Sequence, residues 1–170
     1  ITADANDFAT DGRYDRVVSV EMFEHMHNYA RLMERIAGWL EPGGKLFVHV
    51  FCHRFLMYPF TVDGESDWMA RYFFTGGLMP AEDTLLHFQS HLSLEDRWRV
   101  SGTHYERTAN DWLANLDRER EACMAILGPV YGESTSIWFQ RWRMFFMAVA
   151  ELFGYAGGTE WHVAHYRFVR

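Results

Sequence analysis

The chain is nearly without lysine and poor in cysteine and proline: Lys45 is its one lysine, Cys52 and Cys123 are its cysteines, and four prolines punctuate 170 residues. Two cysteines so far apart cannot build a disulfide framework or a cysteine-cluster zinc site, and they fit reduced thiols and a cytoplasmic location. A cationic surface is missing too, because 16 Lys and Arg stand against 23 Asp and Glu, for a net charge of −7, and the arginines are scattered. Phosphate backbones need clustered positive charge, so no nucleic acid is expected as partner. No charge-free run exceeds Ala122–Gly132, well short of the roughly 20 apolar residues of a membrane-spanning helix, so no transmembrane segment is expected. The opening residues contain no apolar signal core, and the chain starts on Ile1 rather than Met. The expectation is therefore a piece cut from a longer protein.

What is present is apolar bulk. Hydrophobic residues make up 49% of the chain and aromatics 17%, which excludes intrinsic disorder and suffices for one core. No internal repeat or long polar linker divides it, and residues 1–170 are expected to form a single domain. Part of the aromatic content is expected to line a pocket for a flat or lipidic substrate.

Val17–Val20 is a short β-branched run that ends on Glu21, the pattern of a buried strand. Tyr29, Leu32, Met33, Ile36 and Leu40 then recur at helical spacing until Pro42, Gly43 and Gly44 stop them. Lys45–Cys52 shows little polar alternation, as in a strand covered on both faces. Strand, helix and strand make one βαβ unit and point to an α/β layer fold. Further on, a short helix is expected at Ser66–Phe74 and another from Pro80 to about Ser90. A strand is expected at Arg97–Thr103, helices at Thr108–Leu127 and Glu133–Phe153, and a final strand at Trp161–Val169.

The densest polar constellation is Glu21, Glu24, His25 and His27, where the first strand hands over to the helix. The carboxyl ends of strands are where open α/β sheets bind ligands. Two carboxylates and an imidazole there can hold a cation and remove its proton near neutral pH. The competing reading gives Glu24 a helix-capping role and leaves the histidines on the surface. A helix starting near Glu24 would also place these carboxylates at its positive end. Within this constellation no two histidines stand at the i, i+4 spacing of a helical zinc site, so no metal is expected. The paired glycines form no phosphate loop, and no G-x-S-x-G elbow is present.

The segments YDRVVSVEMFEHMHNY (14–29), LEPGGKLFVHVFCH (40–53), DWMARYFFTGGLMP (67–80), HYERTANDWL (104–113), RWRMFFMAVAELFGY (141–155) and WHVAHYRF (161–168) together resemble one family. It is the class I S-adenosylmethionine-dependent methyltransferases of the branch containing cyclopropane-fatty-acyl-phospholipid synthases and coclaurine-type N-methyltransferases. The resemblance implies the C-terminal part of a Rossmann-like α/β fold, with a mostly parallel sheet, an antiparallel final strand and added helices over the substrate site. It implies S-adenosylmethionine as cofactor, held mainly by a glycine-rich motif that would precede Ile1. Within this chain, Asp4 and Ala5 would face the adenine from the end of a strand. In the amine-methylating relatives the EMFEH motif binds the substrate amine and accepts its proton, which maps onto Glu21, Glu24 and His25. In the lipid-cyclopropanating relatives glycine usually replaces the first Glu. Bicarbonate is held there by residues that map onto Glu24, His49 and Tyr105. Trp68, Tyr72, Phe73 and Phe74 match a lid-like region able to stack on an aromatic amine, against a plain core role.

Glu21 tilts the reading toward N-methylation of a small cyclic or aromatic amine, because a protonated amine has no lone pair and a carboxylate both attracts it and helps deprotonate it. The alternatives are methylenation of phospholipid acyl chains and, in another class, an inactive α/β binding module. A second copy in a homodimer is a further expected partner. Taken as a fragment, the chain is expected to bind the cofactor poorly and to expose an unpaired strand edge.

Overall fold

A computed structural model describes residues 1–170. Two compact units emerge, one of residues 1–100 and 163–170 and the other of residues 101–162.

In the first unit, β1 (Tyr14–Val20), β2 (Leu40–His53), β5 (Ser93–Val100) and β6 (Trp161–Val169) form a sheet in the order β1-β2-β6-β5. β1 and β2 run parallel, with Val17 beside Leu46, Ser19 beside Val48 and Val20 beside His49. β6 runs antiparallel to β5. It is antiparallel to β2 as well, since Gly43 and Gly44 exchange backbone hydrogen bonds with Arg170 at one end while His49 meets His165 farther along. The α/β class and the antiparallel final strand agree with expectation, and within this chain the β1–β2 pair supplies the parallel part. A small antiparallel pair, β3 (Tyr58–Pro59) and β4 (Leu78–Met79), lies apart from this sheet.

The crossover α1 (Tyr29–Trp39) begins where Asn28 accepts a hydrogen bond from the Arg31 N–H at 3.1 Å, an N-cap that satisfies an otherwise orphan donor. Its buried stripe of Tyr29, Leu32, Met33, Ile36 and Ala37 packs on Leu46, Val48 and Val50 of β2 and on Ala164, Tyr166 and Phe168 of β6. Each large side chain so buried contributes about 1.5 to 3 kcal/mol, which ties the crossover to the sheet. Gly43 takes φ +76°, the left-handed turn that an L side chain resists.

The helix expected from Pro80 does not form. The Glu82 N–H is taken by the His53 carbonyl and the Ala81 N–H by Thr84 Oγ1, leaving only a 3-10 turn at Thr84–His87. Glu82 itself is buried and paired to Arg99, while its carbonyl accepts the Tyr166 hydroxyl at 2.5 Å. The short helix expected at Ser66–Phe74 is α2 (Trp68–Tyr72).

The second unit holds α3 (Gly102–Arg118), α4 (Arg120–Tyr131) and α5 (Thr135–Gly154). The strand expected to reach Thr103 stops at Val100 instead. Ser101 caps α3, its hydroxyl accepting the Thr103 N–H at 3.3 Å. The single helix expected over Thr108–Leu127 is also two, separated at Glu119, whose backbone leaves the helical region. α3 and α5 meet through the Trp112 and Phe146 rings at 5.8 Å and through an Arg143–Asp117 ion pair at 2.6 Å. No helix is long and apolar enough to cross a membrane.

Candidate active site

The site grows from the parallel register of β1 and β2. Because Val20 lies beside His49, the next residue, Glu21, leaves the strand with its N–H donating to the His49 carbonyl at 3.0 Å. Its backbone then turns through φ +50°. That left-handed conformation costs a non-glycine residue about 1 to 2 kcal/mol. Glycine adopts it freely. Glu21 occupies the position at a conformational cost, and the turn brings its Oε1 to 3.0 Å from His49 Nε2.

Phe23–His25 forms a 3-10 turn, separate from α1. Glu24 is therefore not at the helix start, and the capping role belongs to Asn28. Phe23 is fully buried and its carbonyl accepts the Tyr29 hydroxyl at 3.0 Å, which anchors the turn to the crossover helix. Glu24 is 1% exposed, and its Oε2 has no hydrogen-bond partner. Burial, with a smaller contribution from the charge of Glu21, pushes its carboxyl up to about 7 against the opposing pull of its backbone hydrogen bond. His25 Nε2 lies 3.6 Å from Glu24 Oε1, with the His25 side chain half exposed. A buried carboxyl that gains and loses a proton near neutrality, next to a second carboxylate and an exposed imidazole, is the equipment of a general base for a cationic acid.

The loop before β4 closes over this turn. His27 donates from Nε2 to the Gly76 carbonyl at 2.7 Å, and the Gly77 backbone approaches Glu24. Phe74 stacks on the His25 ring with centroids 6.2 Å apart and touches Phe51 and Phe60 edge-on or tilted. Of the expected aromatic lid residues, the structure thus brings Phe74 to the Phe23–His25 turn. Trp68, Tyr72 and Phe73 meet one another, with centroids 5.2 to 6.0 Å from Trp68.

Asp4 follows no strand; it opens an exposed turn in which its Oδ1 accepts the Asn6 N–H at 2.7 Å, with half-buried Ala5 next in line. Tyr105 belongs to the second unit, where it stacks on Phe153 with centroids 4.4 Å apart. His49 stands beside Glu21, and burial lowers its pKa. Sequence reasoning missed His165, which reaches His49 across β2 and β6. The strict alternation of Trp161–Val169 was the available signal, because it puts His165 on the same face as Arg167.

The profile of the family described as mycolic acid cyclopropane synthetase matches residues 2–157. The chain is 36% identical over 173 residues to an (S)-coclaurine N-methyltransferase of Papaver somniferum, covering 99% of this chain and 49% of that protein. Its fold superposes with a TM-score of 0.91, at 31% identity, on a crystal structure of coclaurine N-methyltransferase bound to N-methylheliamine and SAH, covering 99% of this chain and 51% of that one. A cyclopropane synthase from Mycobacterium tuberculosis shares the fold at 21% identity, with a TM-score of 0.77 over 99% of this chain and 59% of that one. The chain spans about half the length of the curated relatives it matches. With a profile match over most of its length and the EMFEH turn intact, the chain belongs to the mycolic acid cyclopropane synthetase family.

Proposed function

We propose that this chain is the acceptor-binding part of an S-adenosylmethionine-dependent methyltransferase that methylates the nitrogen of a small cyclic amine. The observation that carries this reading is Glu24: a carboxyl 1% exposed, with its pKa raised to about 7, beside Glu21 and His25. The similarity to coclaurine N-methyltransferases supports the choice of acceptor class.

The cofactor supplies an electrophilic methyl group on a sulfonium, so the protein has to position the amine and free its lone pair. Glu21 draws the ammonium form to the end of β1. Glu24 takes the ammonium proton onto a carboxylate oxygen, and His25, exposed at 3.6 Å from it, carries that proton toward solvent. Phe74, stacked on His25, presents an aromatic face to the cation. Asp4 and Ala5 fit the adenine end of the cofactor. Asp4 stands on an exposed turn as a carboxylate acceptor suited to an exocyclic amino group, and Ala5 offers a small apolar wall.

The test is methyl transfer by the complete reading frame, with methyl-labelled S-adenosylmethionine, a panel of cyclic amines, and unsaturated phospholipid vesicles in a parallel tube. Label is expected in an amine and to fall steeply when Glu24 is replaced by Gln. Label confined to lipid, dependent on bicarbonate and Tyr105, would move the chain to acyl-chain chemistry.

A further inference from the structure

One face of the sheet carries a histidine pair that the proton path above leaves unused. The rings of His49 on β2 and His165 on β6 have centroids 4.9 Å apart, and His49 Nδ1 lies 2.9 Å from His165 Nε2. The other nitrogen of His49, Nε2, is 3.0 Å from Glu21 Oε1. One imidazole therefore bridges the carboxylate at the end of β1 and an imidazole on the final strand. Phe47 flanks His165 at 5.1 Å. On the neighbouring strands Lys45 and Arg167 both pair with Glu95, and Glu24 lies near enough to Glu21 to feel its charge.

Two ring nitrogens 2.9 Å apart share one proton, so one ring donates and the other accepts. If His49 donated from Nδ1, its bare Nε2 lone pair would face the Glu21 carboxylate, a repulsive contact. If His165 donates from Nε2, His49 accepts at Nδ1 and carries its own proton on Nε2, the nitrogen 3.0 Å from Glu21 Oε1. The second arrangement sets a proton rather than a lone pair against the carboxylate. We infer that His165 is a positioning residue for the amine site: it fixes His49 in the tautomer protonated at Nε2, and His49 in turn orients the Glu21 carboxylate. Burial lowers the pKa of both imidazoles, which favours the neutral rings for which the choice of tautomer arises. The role assigned to Glu21 rests on the amine-methylation reading, whereas the tautomer of His49 does not.

Long-range proton–nitrogen correlation spectra of this chain with labelled histidine, at neutral pH, read the tautomer directly. The expected result is a His49 with Nε2 protonated and Nδ1 accepting. His165→Phe is expected to abolish that single tautomer, and His165→Gln, whose amide can donate in the same place, to restore it. A His49 protonated at Nδ1 in the unmodified chain, or one unaffected by His165→Phe, would overturn the inference. These spectra need no methyl transfer, so a protein that methylates no amine would sink the function and leave the tautomer result standing. In an active enzyme, His165→Phe is expected to lower kcat/KM for the amine about tenfold, chiefly through KM. It should add nothing in a Glu21→Gln background. Independent, multiplying effects of the two substitutions would show that His165 does not act through Glu21.

Discussion

Glu24 is where the physical argument is sharpest, because a carboxyl titrating at about 7 changes state in the range where an amine methyltransferase would work. If Glu24 is the base, kcat/KM for the amine should rise between pH 6 and pH 8 as it deprotonates. Glu24→Gln should lose this limb and on the order of 10²- to 10⁴-fold in rate, the usual range for a positioned base. The same residue makes stability depend on pH. Its pKa is raised on folding from 4.5 to about 7, so the folded state holds the proton more tightly. The resulting stabilisation is fully present below pH 4.5 and is lost as the pH climbs through about 7. At 1.36 kcal/mol per unit this amounts to about 3 kcal/mol. Urea unfolding at pH 5 and pH 8 should show that decline, and Glu24→Gln should largely flatten it. Glu21 should behave oppositely: with its backbone at φ +50°, Glu21→Gly is expected to hold or raise stability by up to about 1 kcal/mol while amine turnover falls. The motif EMFEH could be read from the sequence as a site because its residue types suit the chemistry. The left-handed turn at Glu21 could not, since no residue there announces it.

Elements were legible in proportion to how local their causes are. α1 and β6 follow from patterns within their own segments, an apolar stripe at helical spacing and a period-2 alternation. Asn28→Ala removes the side-chain acceptor of α1 and should cost about 1 kcal/mol in chemical denaturation. The helix expected from Pro80 failed because the distant His53 carbonyl claims the Glu82 N–H, while the nearby Thr84 hydroxyl claims that of Ala81. The break at Glu119 has neither proline nor glycine to mark it. Gly102, which opens α3, has no room for a side chain: an added Cβ would sit 2.2 Å from the Trp161 carbonyl oxygen and 2.3 Å from that of Phe153. Backbone atoms cannot swing aside, so Gly102→Ala is expected to destabilise the helical unit by more than about 1 to 3 kcal/mol, read from its helical circular dichroism on heating.

At the scale of the molecule, the two edges of the four-stranded sheet differ. β5 is fortified with Glu95, Asp96, Arg97 and Arg99, whereas β1 presents Val18 at 65% exposure and Val20 at 57%. An apolar edge strand is a template for pairing with another chain. Concentration-dependent association in light scattering is therefore expected of this chain, and Val18→Lys should suppress it while β5 substitutions leave it unchanged. β1 is an edge of this sheet because β2 alone pairs with it, and its exposed valines make that edge apolar.

By itself the sequence determined what rests on short-range order: the βαβ unit, the alternating last strand, the acidic balance, and a site rich in carboxylate and imidazole at the end of β1. These follow from neighbours in the chain, whose spacing fixes which face each side chain takes. Only the tertiary structure decided that Glu24 is sealed from water, that Phe74 rather than Trp68 meets His25, and that His165 stands against His49. Each of those depends on burial or strand register between segments far apart in sequence. Desolvation and contact are properties of the packed chain, and a pattern of residue types does not contain them.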